Sequence, residues 1–365
     1  MALLKQRYLA KCAECLCEPV GVVVRALDAS AAAREPLRSL KVNGNDPRLF
    51  QDRLSYMQLF ALCQALESDT AVQELDVSYN FLDDAAAAAV AKLVHANTTI
   101  TKINLRGNMI THAGAAQLKE ALIESLSVTS LDLGHNPLGD EGVRLVAGAL
   151  EACSTVEDLS LDSTGMGAKG LIALTIAAAD HPSLRYLNLE GADAQSLQAI
   201  TSLHLAKMLA ANRSLKYLNL GKHVLRQEGL ETLVKDGLLL NTTLVSLDLH
   251  SCQLSQDCGP LLTATLLGGS RSLVRLGLAN NRLSDAGALA VAAALRESDS
   301  LVELDVASNR ITDVGLHALA AHALQSQKLS ALTVRGNRYG RTMWQKLPLY
   351  TAPDVRAGNG ALVVV

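Results

Sequence analysis

LDVSYNFLDDAAAAAVAKLV, residues 75 to 94, changes its period part-way along. Leu75 and Val77 alternate with polar residues, the rhythm of a short strand, and Asn80 closes the phrase before an alanine-rich run. The phrase LxLxxN recurs along the chain. INLRGN starts at Ile103, LDLGHN at Leu131, LGLANN at Leu276, LDVASN at Leu304 and LTVRGN at Leu332. Degenerate copies are LKVNGN from Leu40, LSLDST from Leu159, LNLEGA from Leu187, LNLGKH from Leu218 and LDLHSC from Leu247, which makes eleven. The step is 28 residues from Leu75 through Leu187, then 31, 29, 29, 28 and 28.

So short a strand stacks in parallel on its next copy only through a crossover of a dozen or more residues, and that crossover reads as a helix. Apolar residues at helical spacing agree, as at Ala116, Leu118, Ala121 and Leu122. Asparagine at the sixth position satisfies backbone groups that a tight bend leaves unpaired, so the ladder is expected to weaken where Thr164, Ala192, His223 and Cys252 replace it. Six residues further on stand Gly114, Gly142, Gly170, Gly229, Gly287 and Gly315, with Gly259 one residue late. A glycine there admits the preceding coil without a Cβ clash. These features predict an α/β leucine-rich-repeat solenoid, its parallel sheet on a concave face and its helices on a convex face. The unit resembles the ribonuclease-inhibitor class of leucine-rich repeats over nearly the whole chain, which implies a horseshoe.

The expected organisation is one domain: a helical cap over residues 1–38, about eleven repeats over 39–340, and a cap and tail over 341–365. Helices are expected near Leu3 to Cys17 and Val20 to Ala33. The tail holds the single tryptophan, Trp344, which with Leu347 and Leu349 either covers the last helix or straps a partner. Hydrophobic residues make up 49% of the chain but aromatics only 3%, the profile of thin leucine and alanine layers. The 33 basic and 36 acidic residues are intermixed, so no basic field points to nucleic acid. No apolar run reaches a membrane-spanning length and Lys5, Arg7 and Lys11 interrupt the start, so a soluble, intracellular protein is expected. The seven cysteines read as reduced thiols, and the sequons at Asn97, Asn212 and Asn241 as accidental.

Cys12, Cys15 and Cys17 lack a matching second half-site for a metal, and His223, His250 and Cys252 fall largely on turn positions. Without a phosphate loop, nucleophile elbow or dinucleotide fingerprint, the expectation is a non-enzyme with no cofactor and no small-molecule substrate. A narrower likeness lies in three places: LKVNGNDPRLFQDRLS from Leu40, LDVSYNFLDDAAAAAVAKLV from Leu75, and the long repeat from Leu187 through Lys222 and His223. These resemble the family of leucine-rich repeat-containing protein 34. That resemblance implies a scaffold in the axoneme of cilia and flagella, with radial-spoke subunits as partners and a nucleolar role in animals. Two other readings stay open: a small-GTPase activator, because a Ran-directed activator shares the repeat, and a soluble inhibitor.

Residues alternating with the strand leucines are expected to line the concave face. Its acids are Glu74, Asp76, Asp132, Asp158, Asp162, Glu190, Asp248, Glu303 and Asp305, against the bases Lys41, Lys102, Arg106, Arg275 and Arg335. Tyr186 and Tyr217 hold the same position on consecutive strands, beside Asn188 and Asn219. Either the polar face is what any such fold requires, or the tyrosines anchor a basic or amphipathic segment of a partner protein.

Overall fold

The computed structural model describes residues 2–47, 49, 53–192, 198–269, 272–340 and 363–364. Trp344, Leu347 and Leu349 lie outside them. The chain forms two compact units, Met1–Tyr186 and Leu187–Val365.

The first unit begins with α1 (Ala2–Glu14) and α2 (Gly21–Ala33), close to the two helices expected at the N-terminus. It then alternates β1 (Ser39–Lys41), α3 (Tyr56–Leu66), β2 (Glu74–Asp76), α4 (Asp84–Ala96), β3 (Lys102–Asn104), α5 (His112–Glu124), β4 (Ser130–Asp132), α6 (Gly139–Ala152), β5 (Asp158–Ser160) and α7 (Ala168–Ala179). β1 to β5 pair in parallel with no register slip, each first leucine or isoleucine opposite the next. β6 (Tyr186–Asn188) starts where the first unit ends. The second unit continues with α8 (Gln198–Ala211), β7 (Tyr217–Asn219), α9 (Arg226–Leu233), β8 (Ser246–Asp248), α10 (Gly259–Ala264), β9 (Arg275–Gly277), α11 (Ser284–Glu297), β10 (Glu303–Asp305), α12 (Asp313–Gln325) and β11 (Ala331–Thr333). β7 to β11 pair in parallel, and β12 (Val363–Val364) adds to the edge of β11. All eleven leucine phrases are strands, each starting one residue before its first leucine or isoleucine.

The strand leucines and the apolar helix faces are buried together, for example Leu75, Val77, Ala86, Val90 and Leu93 in one repeat. Two repeats of 29 residues, from Leu218 and from Leu247, each carry a π-helical turn, at Val234–Leu238 and Thr265–Gly269. Such a turn absorbs one extra residue without moving the strands on either side.

Asparagine behaves as the sequence reading expects. Asn80 donates through Nδ2 to the carbonyls of Val42 (2.7 Å), Val77 (3.0 Å) and Ser78 (2.9 Å) and accepts the Leu54 N–H at 3.0 Å. The substitutes keep less. Thr164 donates only to the Leu161 carbonyl at 2.8 Å, and the Cys252 thiol to that of Leu220 at 3.2 Å with a longer contact to His250. A second column, unnoticed in the sequence, sits where each helix turns toward the next strand. There Asp69, Asn97, Ser125, Asn212, Asn241, Ser298 and Ser326 accept N–H groups two or three residues on. The three sequon asparagines belong to this column and are buried.

From Asn80 onward the residue just before a ladder asparagine takes a left-handed conformation, for example Tyr79 at φ 59° and Gly107 at φ 66°. At Gly107 a Cβ would also stand 2.3 Å from the Tyr79 ring. Gly107→Ala is therefore expected to destabilise the first unit by about 2 kcal/mol, combining left-handed strain with displacement of the ring. A shift of the urea midpoint to lower concentration measures it.

Candidate protein-binding surface

On each strand three residues leave the leucine layer: one before the first leucine, one between the two, and one after the second. The middle position is where the sequence reading placed Asp132, Asn188, Asn219, Asp248 and Asp305. One oxygen of each accepts the backbone N–H two residues on, at 2.8 Å for Asp132, 3.2 Å for Asn188, 2.8 Å for Asn219, 2.9 Å for Asp248 and 2.8 Å for Asp305. The column is rich in Asp and Asn because a strand end needs that bond. The carboxylates keep a second oxygen for other work.

In the first unit the charges interlock. Arg106 holds Asp162 with two parallel bonds, Nη1 to Oδ1 at 2.7 Å and Nη2 to Oδ2 at 2.5 Å, two repeats away. Its Nε donates to the Tyr79 hydroxyl at 3.1 Å, and Asp132 Oδ1 lies 3.5 Å from Nη1. Gly134 in the intervening repeat makes the reach possible, since a Cβ there would meet Arg106 Nη1 and Asp162 Oδ1 both at 2.5 Å. Alternation predicts that Asp162 faces outward, yet it is only 2% exposed because the guanidinium covers it. Burial works against its charge, but hydrogen bonds from Arg106 and Ser160 hold its pKa below the usual carboxylate range. Asp132 and Asp158 go the other way: burial raises both. Tyr186, 39% exposed, has its pKa raised by burial and by the charges of Asp132 and Asp162.

The second unit contains Tyr217, 37% exposed, with the Arg275 guanidinium 5.3 Å from its ring centre. Glu190 accepts from Lys222 at 2.8 Å and from Asn219 at 3.2 Å, and lies 3.5 Å from His250. His250 Nδ1 is 3.1 Å from Asp248 Oδ1, and that carboxylate raises the imidazole pKa. Beyond it a groove of about 270 Å³ opens between Asp248, Arg275, Glu303, Asp305 and Thr333. Its floor is Gly277, where a Cβ would stand 2.7 Å from Asp248 Oδ1.

The histidines and cysteine considered for a metal have separate tasks. His223 Nε2 bonds the buried Leu189 carbonyl at 2.8 Å, while Cys252 turns to Leu220 and His250 to Asp248 and Glu190. Among the described residues no three histidine, cysteine or acidic side chains gather as a metal site. No helix among them is long and apolar enough to cross a membrane.

The family model described as Leucine Rich repeat matches residues 96–118, 124–147, 211–234, 269–292 and 298–320. Each match runs from the end of one helix through a strand into the next helix. This chain contains leucine-rich repeats. The fold also resembles a chain from the crystal structure of the Rad7 and Elc1 complex in yeast, with a TM-score of 0.51 and 14% identity over 99% of this chain and 92% of that one. NACHT, LRR and PYD domains-containing protein 4B of Mus musculus is 39% identical over 80 residues, covering 22% of this chain and 9% of that protein. The actin-binding site 2 of leiomodin-1 aligns with 43% of this chain and 88% of its own, at 23% identity and a TM-score of 0.35. Leucine-rich repeats are generally binding scaffolds without catalytic chemistry, and the repeats here support a protein-interaction scaffold.

Proposed function

We propose that the chain is an axonemal scaffold of the leucine-rich repeat-containing protein 34 kind, holding basic or amphipathic segments of other axonemal proteins, radial-spoke subunits among them, on its strand faces. The observation that carries the binding mode is the groove over Gly277. Asp248, Glu303 and Asp305, three acids against the one cation Arg275, line a cavity of about 270 Å³, large enough for a lysine or arginine side chain, with Tyr217 on the strand beside it. Tyr186 offers a comparable ring on the first unit, near Asp132 and Asp158. What supports the axonemal assignment is the likeness in the segments from Leu40, from Leu75 and from Leu187 to His223.

A tagged copy in a ciliated cell is expected to stay with axonemes after detergent extraction and to bring neighbouring proteins down with it. Uniform staining that washes out overturns the axonemal reading, and retention in nucleoli moves the scaffold there. Against a partner recovered this way, Tyr217→Ala is expected to cost about 2 kcal/mol of affinity, the usual weight of a central aromatic contact. Unchanged titration calorimetry with a folded variant would remove Tyr217 from the interface.

A further inference from the structure

A cluster of nucleophilic side chains that the binding surface does not use lies at the end of α1. Leu16 is left-handed at φ 52°, the Cys17 N–H donates to the Cys12 carbonyl at 3.0 Å, and the Leu16 N–H donates to that of Ala13 at 3.2 Å. These two bonds define a Schellman closure, in which the side chains at the Cys12 and Cys17 positions meet. Burial raises the Cys12 pKa, and the Cys17 thiol lies close enough to Cys12 to raise it further. Behind them Tyr8 is fully buried; its hydroxyl accepts the Val20 N–H at 2.9 Å and contacts the Cys12 thiol. α2 ends in the same way, with Arg34 at φ 58° and the Glu35 N–H on the Ser30 carbonyl at 3.2 Å, but its paired side chains are Ser30 and Glu35. The backbone motif is general, and the pair of thiols belongs to α1.

We propose that Cys12 and Cys17 form a redox-active dithiol, which a low-molecular-weight disulfide such as oxidised glutathione converts reversibly to a disulfide within the N-terminal cap. Cys17 is the more exposed of the two. Its thiolate attacks one sulfur of the glutathione disulfide, forming a mixed disulfide and releasing a glutathione thiolate that takes up the proton Cys17 gave. Cys12 then loses its proton and attacks the Cys17 sulfur, expelling a second glutathione thiolate that is protonated in turn. Two protein thiols are oxidised and one glutathione disulfide is reduced to two glutathione molecules. Burial pushes the Cys12 thiol up to about 11, so Cys17 reacts with the reagent and Cys12 resolves the adduct from inside. The helix-end hydrogen bonds already hold the two backbones adjacent, as a disulfide requires. Cys63, Cys153, Cys252 and Cys258 are buried away from the reagent.

The full chain is equilibrated in glutathione buffers of increasing oxidised fraction, quenched with acid, and read by intact mass and peptide mapping. The expected product is lighter by two hydrogens, about 2 Da, as thiol–disulfide exchange within one chain requires, and maps to a Cys12–Cys17 link that dithiothreitol reverses. Cys15→Ala should leave its formation unchanged, and Cys17→Ala should abolish it. A wild-type chain that stops at a glutathione adduct, stays reduced, or links any other pair of cysteines overturns the proposal. Mapping the wild-type chain decides this even if a variant does not fold.

Discussion

Asn309→Ala is expected to lower the stability of the second unit by about 3 kcal/mol in urea unfolding, because one substitution strips a buried turn of four hydrogen bonds. Asn309 is 0% exposed. Its Nδ2 donates to the carbonyls of Leu278 (2.8 Å), Val306 (3.1 Å) and Ala307 (3.1 Å), and its Oδ1 accepts the Leu283 N–H at 3.3 Å. Alanine satisfies none of these. Each partner left unpaired costs about 1–3 kcal/mol, less for a carbonyl with a second bond, so a total near the lower end of the sum is expected. Cys252→Ala at the same place in another repeat should cost about 1 kcal/mol, since the thiol makes only weak bonds and its loss is chiefly a small cavity. The ranking is the sharper test. Equal losses would mean that the leucine stack carries the stability and that the ladder adds little.

Those two positions also show how far the sequence could be read. All eleven strands, the helices between them and the ladder asparagines follow from the spacing of the LxLxxN phrase, because a period-two stretch and a helical stretch cannot exchange places without burying polar residues. The glycines after the ladder were equally legible: at Gly114 a Cβ would meet Asp84 Oδ1 at 2.5 Å and the Ala87 Cβ at 3.0 Å. Function was less legible, since polar residues on a strand face serve two purposes. Asp132 and Asp248 look like surface charge in the sequence, and each also closes its own strand end. The Arg106–Asp162 pair is 56 residues apart in sequence and depends on Gly134 in the repeat between them, a signal that one repeat compared with the next does not reveal. The π-helical turns could have been anticipated. A 29-residue step beside 28-residue neighbours requires one extra residue to be stored, and the helix stores it more readily than a three-residue strand.

Arg106→Leu is expected to destabilise the first unit by about 3 kcal/mol at neutral pH, because it leaves the Asp162 carboxylate buried without its cation. The remaining donors do not replace the guanidinium. Ser160 Oγ gives one bond at 2.8 Å, and His135 Nε2 stands 3.4 Å away. Leucine fills much of the volume, so the loss reports charge and hydrogen bonding more than packing. The pH dependence separates the two. In the wild-type chain Asp162 has a depressed pKa, so its pair contributes fully above the ordinary carboxylate value and is lost as pH falls through the depressed folded value. In the variant, burial without Arg106 raises the same pKa, so folding favours the protonated acid and stability falls as pH rises through it. The gap between the two proteins should be small in acid and widen toward neutrality, reaching its full size above about pH 6. Hydrogen exchange should place the loss in β3 to β5. A gap that stays constant from pH 3 to pH 7 would assign the cost to lost packing, including the Tyr79 contact, and would leave Asp162 without an electrostatic role.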